Sequence, residues 1–293
     1  GVIQSYSSLE PRLSMRYRLN AHSSVKAGYS RTAQFINQIF NSDSPTPSSI
    51  WQLSTPYIEP GRSHNTSAGY FRNFRDNLWE TSIEGYYRWI DHLVEYRDFA
   101  DLTVNEHLET ELPGGIGRAY GIELSIKKNA GQFNGWLSYT YSRTERQVAG
   151  INRGDWYPSN FDQPHSLSVV FNVQPSQRHT LTFSFNYNTG RPTTPPVGNY
   201  ETPLGLVVPL YSERNQLRIP DYHRLDISYT LGQGYNKTRR VKTSWTLAVY
   251  NVYGRRNAFS VFFTEGPFQR AEANQLSVLG TALPSVTLNF EFQ

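Results

Sequence analysis

The sequence predicts an all-β fold in which about 11 antiparallel strands run up and down through one sheet. Three observations support this prediction. Apolar and polar residues alternate along most of the chain, amphipathic helical spacing is hard to find anywhere, and short and long connections alternate between the predicted strands. A period of two places one set of side chains on each face of a pleated strand.

The alternation starts in LEPRLSMRYRL (9–19) and is clear again in HSLSVVFNV (165–173) and TLTFSFNY (180–187). Most of the predicted strands exceed the usual length of about 5–6 residues, and several reach the roughly 9–11 residues that cross a bilayer at a tilt. In chain order the predicted strands are 9–19, 23–35, 63–73, 78–90, 117–129, 133–146, 164–173, 179–187, 221–231, 241–263 and 276–292.

The lengths of the connections between these strands indicate which class of β-sheet protein this is. The short ones are 20–22, 74–77, 130–132, 174–178 and 232–240, and the long ones are 36–62, 91–116, 147–163, 188–220 and 264–275. In an up-and-down sheet this order puts every short turn at one end and every long loop at the other. Outer-membrane barrels have short periplasmic turns and long extracellular loops. The sequence therefore predicts a transmembrane antiparallel up-and-down β-barrel.

Composition agrees with a membrane barrel and excludes several other classes. The chain has 20 Tyr, 16 Phe and 6 Trp, yet its mean hydropathy is -0.57 and 18% of its residues are charged. It has no apolar run of about 20 residues, which a transmembrane helix needs, and it is too aromatic for a disordered chain. Cysteine is absent, which excludes disulfides, thiolate metal sites and a cysteine nucleophile.

The two faces of the predicted sheet differ in chemistry. Aromatic residues near strand ends suit the lipid interfaces, where a ring keeps one wet edge; the alternative is a set of cross-strand pairs in a soluble sheet. These residues are Tyr29, Trp79, Tyr87, Trp89, Tyr139, Tyr141, Tyr187 and Trp245. Charged residues occupy the opposite face, where a wet or plugged lumen would solvate them. They are Arg12, Arg16, Arg18, Glu80, Glu84, Arg88, Glu123, Lys127, Arg224, Asp226 and Glu291.

Several segments carry a family resemblance. They include EPRLSMRY (10–17), GRAYGIELSIKK (117–128), WLSYTYSRTER (136–146), PDYHRLDISY (220–229) and LAVYNVYGRRNAFSVFF (247–263). In this order they resemble the C-terminal half of TonB-dependent outer-membrane receptors of the Bacteroidetes type, from about residue 5 to 292. The last strand, LPSVTLNFEF, also resembles the C-terminal signal that the barrel-assembly machinery reads. Its signal residues are Val286, Leu288, Phe290 and Phe292.

The resemblance implies a plugged barrel of about 22 strands, of which residues 1–293 supply the C-terminal half. The plug and the N-terminal strands would then lie outside this chain, either in a longer receptor or in a second polypeptide. The implied partners are TonB acting through the plug, the barrel-assembly machinery, the lipid bilayer and a surface lipoprotein. The implied location is the bacterial outer membrane.

Ligand contacts are expected from the long loops and the lumen rim, where aromatic rings and a cation could hold a sugar, a peptide or a chelate. The alternative is that these side chains pack the loops against one another. The candidates are Trp51, Trp156, Tyr157, Tyr200, Tyr211 and Arg214. The histidines show no metal-site spacing, and no catalytic motif, cofactor site or nucleic-acid module is predicted.

Three functions remain open at this stage. The leading hypothesis is a non-enzymatic receptor that imports a scarce nutrient by TonB-coupled active transport. The second is a passive porin-like or adhesin barrel without a plug. The third is a soluble all-β binding module or carbohydrate enzyme, which would be extracted without detergent.

Overall fold

The computed structural model describes residues 4–41, 48–98, 100, 105, 107–201, 203, 207–232, 241–265 and 271–292. Two short 3-10 helices cover Leu108–Glu111 and Asn152–Gly154. Among the described residues, no helix has the length and apolar character needed to span a membrane. The strands are β1 (Arg12–Asn20), β2 (Ser23–Gln34), β3 (Ile36–Asn41), β4 (Ser48–Leu53), β5 (Gly61–Phe74), β6 (Trp79–Val94), β7 (Gly114–Lys128), β8 (Phe133–Val148), β9 (Tyr157–Pro158), β10 (His165–Ser176), β11 (His179–Asn188), β12 (Pro192–Thr193), β13 (Pro196–Glu201), β14 (Val207–Tyr211), β15 (Leu217–Arg218), β16 (Tyr222–Gly232), β17 (Val241–Tyr250), β18 (Ala258–Glu265), β19 (Ala271–Ser277) and β20 (Leu283–Phe292).

One large antiparallel sheet organises the chain. Its strand order is β1-β2-β5-β6-β7-β8-β10-β11-β16-β17-β20, and the two-residue strand β9 pairs with β8 at its margin. Every strand along this path pairs with the next large strand in the sequence, which confirms the predicted up-and-down meander. The edge strands β1 and β20 do not pair with each other, so the described sheet is an open, incomplete barrel wall.

Short and long connections alternate as predicted. The chain between consecutive strands of the large sheet covers 21–22, 75–78, 129–132, 177–178 and 233–240 at one end, which we call the short-connection end. At the other, the long-connection end, it covers 35–60, 95–113, 149–164, 189–221 and 251–282. The predicted turn 232–240 lies, except for Gly232, outside the described residues.

The turn after β5 shows how the sequence sets a short connection. Arg75, Asp76 and Asn77 have φ values of 49, 52 and 66°. Asp and Asn tolerate this left-handed region better than most residues because their short side chains form local hydrogen bonds. Here the side chain of Asn73 donates a hydrogen bond to that of Asn77 at 2.7 Å. This bond stabilises the reversal of chain direction.

The register separates an apolar face from a polar face. Leu137 stands opposite Ile126 and Val169, and Val169 stands opposite Phe185. All eight predicted interface aromatics share this apolar face, and the predicted charged set lies on the other, polar face. A one-residue slip in any pair would exchange the faces, so the continuous apolar surface depends on the register.

Two predicted strands are wrong in extent. Segment 241–263 is not one strand: β17 ends at Tyr250, and β18 belongs to a separate hairpin with β19. Asn251 has a φ of 54° and is 1% exposed, and its side chain bonds the backbone N–H and C=O of Arg255, which turns the chain. Segment 276–292 is likewise divided between β19 and β20, with Leu279 at a φ of 56° between them.

The face assignment predicts different tolerance for neighbouring residues of β7. Leu124→Arg should destabilise the complete folded barrel by about 2–4 kcal/mol if that side chain contacts hydrocarbon. Ser125→Arg, one residue along on the polar face, is the matched control and should cost far less. Urea unfolding of both variants in lipid vesicles measures the difference. Equal losses of stability would show that the two faces have the same environment.

Candidate functional site

The long-connection end contains the packed core of the described molecule. Among described residues, the hydrophobic side chains that are at most 6% exposed all lie in or next to the long connections. They form two clusters, Ile39, Ile58, Tyr96 and Leu112 in one and Val148, Ile151 and Tyr157 in the other. The loops are therefore packed elements that cover the end of the sheet.

An ion cluster centred on the buried Arg214 joins two of the long connections to β8. The side chain of Arg214 is 7% exposed and lies 3.5 Å from the carboxylate of Glu95, while its second Nη contacts the carboxylate of Asp98. Its guanidinium also donates to the Tyr96 carbonyl at 2.6 Å and lies 4.2 Å from the Tyr96 ring centroid. Arg146 reaches the same Glu95 from β8. Burial opposes the charge of Arg214, but Tyr96 and the two carboxylates outweigh it and raise its pKa.

The same cluster is fixed by backbone contacts and contains one unusual hydroxyl. The side chain of Asn152 donates to the Arg214 carbonyl at 3.0 Å and accepts from its N–H at 2.7 Å. Tyr157 is 2% exposed, and its hydroxyl has no hydrogen-bond partner within the described part of the chain. Burial, followed by the nearby charge of Glu95, raises the pKa of Tyr157. A neutral phenol in this position contributes packing and no resolved hydrogen bond.

Two aspartates fasten the loops to strand ends. Asp162 is 1% exposed and accepts from the Thr144 N–H at 2.7 Å, and Arg218 bonds both its carbonyl and its carboxylate. Asp221 accepts from the Tyr187 hydroxyl at 2.6 Å and from the Gly190 N–H at 2.8 Å. These bonds lower the pKa of Asp221, so this contact is ionised at neutral pH.

The structure does not bring the six predicted ligand residues together. Tyr157 and Arg214 lie inside the loop core, as the packing alternative expects. Trp156 lies beside the sheet, where the Arg118 guanidinium is 4.2 Å from its ring centroid. Exposed rings remain on two loop hairpins: Trp51 at 64% on β4, Tyr200 at 55% on β13 and Tyr211 at 43% on β14. Ligand contact by these residues stays a prediction.

The polar face carries an acidic pair that sequence reasoning placed on this face but did not single out. Glu84 of β6 stands directly opposite Glu123 of β7. Like charges directly opposite each other destabilise an antiparallel pair. Within the described residues, no basic nitrogen lies within 4.0 Å of either carboxylate. Only the strand register, which pairs residues far apart in sequence, reveals the juxtaposition.

This pair borders a recess of about 650 Å³ in the polar face, whose lining also includes Arg12, Tyr86 and Arg88. Glycines make room for the large side chains: a Cβ at Gly69 would lie 3.0 Å from the Glu84 carboxylate. In the part of the chain that is described, no three histidine or carboxylate side chains are grouped closely enough to hold a metal ion. The recess is a polar, mixed-charge surface suited to a protein or solvent contact.

A family model described as TonB dependent receptor-like, beta-barrel matches residues 1–252. The chain belongs to this family. It is therefore part of a bacterial outer-membrane barrel, whose apolar face meets lipid and whose polar face lines the lumen. None of the curated proteins matches the sequence.

Solved structures agree on the fold. The ferripyoverdine receptor of the outer membrane of Pseudomonas aeruginosa is 15% identical with a TM-score of 0.58, and the match covers 95% of this chain and 32% of that one. An iron transporter from Neisseria meningitidis is 12% identical with a TM-score of 0.60, covering 98% and 40%. The ferric yersiniabactin uptake receptor from Yersinia pestis is 18% identical with a TM-score of 0.56, covering 96% and 37%. This chain thus spans well under half the length of these structures.

The loop core predicts a large difference between two arginines. Arg214→Met leaves buried Glu95 without one of its cations. This variant should lower the free energy of local opening of residues 95–98 by about 3–5 kcal/mol. Arg153→Met is the matched control, because Arg153 and its partner Glu213 have exposed side chains, and it should change stability by about 0–1 kcal/mol. Hydrogen exchange of the loop amides measures both effects.

Tyr157→Phe completes the comparison and should leave exchange unchanged, since the lost hydroxyl has no resolved partner. Equal protection in the two arginine variants would mean that Arg214 does not hold the loops.

Proposed function

We propose that residues 1–293 are the C-terminal barrel portion of a receptor that imports a scarce nutrient by TonB-coupled active transport. The family match over residues 1–252 is the observation that supports this most strongly. The segments quoted from the sequence support the finer assignment to receptors of the Bacteroidetes type. Because the chain spans only part of its structural relatives, the proposal concerns the complete receptor.

The open sheet edges support completion of the barrel by strands outside this chain. In lipid an unpaired backbone N–H or C=O costs several kcal/mol, so spanning sheets close. We propose that β1 and β20 pair with the N-terminal half of the same receptor or with a second chain. In β20, Val286, Leu288, Phe290 and Phe292 share the apolar face and stand opposite residues of β17, which supports recognition of this strand by the barrel-assembly machinery.

The acidic pair supports a plug inside the barrel. Glu84 and Glu123 lie opposite each other on the lumen wall, and a cationic side chain from a plug would neutralise both carboxylates. TonB would then act on this plug. In a permanently open porin, the two carboxylates would be solvated by water alone.

The exposed loop rings support ligand capture at the long-connection end. Trp51, Tyr200 and Tyr211 are the residues we propose to contact ligand or a surface lipoprotein. The names of the similar structures include ferripyoverdine and ferric yersiniabactin, so ferric chelates are the first ligands to test.

The dependence of uptake on energy coupling distinguishes an active receptor from a passive barrel. Cells that produce the complete receptor should accumulate iron-55 supplied as a ferric siderophore, and deletion of tonB or addition of a protonophore should abolish the uptake. The purified receptor in a planar bilayer should show no steady ion conductance, because a plug fills the lumen. Uptake that persists without TonB, together with steady conductance, would establish the porin alternative. The conductance measurement does not depend on the identity of the ligand.

The acidic pair gives a second test of the plug. In the double variant Glu84→Gln, Glu123→Gln, urea should open the conductance of the complete receptor at a lower concentration, because the plug loses its charged contact. Glu291→Gln, on the same face of β20, is the control and should leave the midpoint unchanged. A double variant that opens at a higher urea concentration would mean that relief of carboxylate repulsion dominates and that no cation pairs with them.

A further inference from the structure

A second recess opens on the opposite, apolar face, near the short-connection end. Its volume is about 260 Å³, and its lining includes Trp79, Ile126, Phe133, Gly135 and Phe171. These residues come from four neighbouring strands, β6, β7, β8 and β10. The recess therefore lies in the surface that meets lipid, and its walls are mainly hydrocarbon and aromatic.

One residue of the lining, Gly135, has no side chain because the backbone of β10 lies too close. Gly135 has a φ of 144°, and a Cβ there would lie 2.0 Å from the Val170 carbonyl oxygen, so no other residue fits without moving the backbone. On one side of the opening, the rings of Phe133 and Phe171 are stacked with centroids 6.0 Å apart and planes 9° apart. The recess is thus bounded by closely spaced backbone at Gly135 and by a stacked pair of rings.

The rim of the recess holds a cation. Lys128 belongs to the lining, and its Nζ lies 5.6 Å from the Trp79 ring centroid. In the register Lys128 stands opposite both Trp79 and Gly135, which places it on the apolar face. Within the described residues, no carboxylate lies within 4.0 Å of its ammonium. A lysine on a lipid-facing surface is stable where its ammonium reaches the headgroup layer.

We propose that this recess binds a glycerophospholipid of the periplasmic leaflet, with an acyl chain along Phe133, Phe171 and Ile126 and the phosphate on Lys128. The short connections of outer-membrane barrels are periplasmic, which places Lys128 at the level of that leaflet's headgroups. An ammonium donates charge-assisted hydrogen bonds to phosphate oxygens, and basic sites at a membrane surface bind phospholipid headgroups. The inference depends on the family and its membrane orientation, and it is independent of import.

A neighbouring arginine extends the positive surface. Arg72 of β5 lies with its guanidinium 4.7 Å from the Phe74 ring centroid, and Phe74 stands opposite Trp79 in the register. Two cations held over aromatic rings therefore occupy the same end of the apolar face, on β5 and β7, the two strands that flank β6. This arrangement favours a phosphodiester over an uncharged lipid.

Native mass spectrometry of the complete receptor in detergent tests the proposal. The probes are 1-palmitoyl-2-oleoyl-phosphatidylglycerol, the matching phosphatidylethanolamine, the diacylglycerol that lacks phosphate, and lipid A. Both phospholipids should be retained in preference to diacylglycerol and lipid A. Lys128→Gln should lower phospholipid retention at least fivefold. Lys127→Gln is the matched control, because Lys127 lies on the polar face opposite Glu80, and it should retain phospholipid like the parent protein.

Ile126→Trp provides an independent variant that keeps the cation and fills the recess. It should lower phospholipid retention while leaving the barrel folded in heat-shift electrophoresis. Equal retention in Lys128→Gln and Lys127→Gln would overturn the phosphate contact. Diacylglycerol retained as well as the phospholipids would overturn it too, and preferential retention of lipid A would overturn the leaflet assignment.

Discussion

Pairing of backbone hydrogen bonds between adjacent strands is the constraint on which the rest of this structure depends. A segment in hydrocarbon must bond every N–H and C=O within the protein, and a meander of antiparallel strands does so with the shortest connections. The register of that pairing then decides which side chains meet lipid and which meet the lumen. The open edges at β1 and β20 follow from the same constraint, since each requires a partner strand.

A sheet with lipid on one side and a lumen on the other cannot build a conventional hydrophobic core between layers. The described core therefore lies in the long connections, where loops pack on one another. Their polar backbone and the charged strand ends need partners once water is excluded. Arg214, Glu95, Asp98 and Arg146 supply these partners from two connections and from β8. The ion cluster thus adds side-chain contacts where backbone pairing continues past β6, with the Glu95 and Arg97 N–H groups donating to the Pro113 and Glu111 carbonyls.

Period-two patterning predicted the strands of the large sheet because each strand separates two environments. The predicted strands fail between Tyr250 and Ala258, where the buried side chain of Asn251 turns the chain. They fail again at Leu279, which has a φ of 56°. Local hydrogen bonding determines the structure there, and the hydropathy pattern gives no sign of it. The loop core could be predicted from the sequence even less well. Arg214 contacts Tyr96, which is 118 residues away in the sequence, and no local sequence pattern links them.

The functional surfaces show how much information the register adds to composition. Lys127 and Lys128 are adjacent and chemically identical, yet one stands beside the lumen opposite Glu80 and the other faces lipid beside Trp79. Glu84 and Glu123 are 39 residues apart and become cross-strand neighbours only when β6 and β7 align. A residue's role in this barrel is therefore fixed by the parity of its position along the strand and by its partner across it. Substitutions at neighbouring positions separate lumen, lipid and loop functions because the strand pairing holds each side chain on one face.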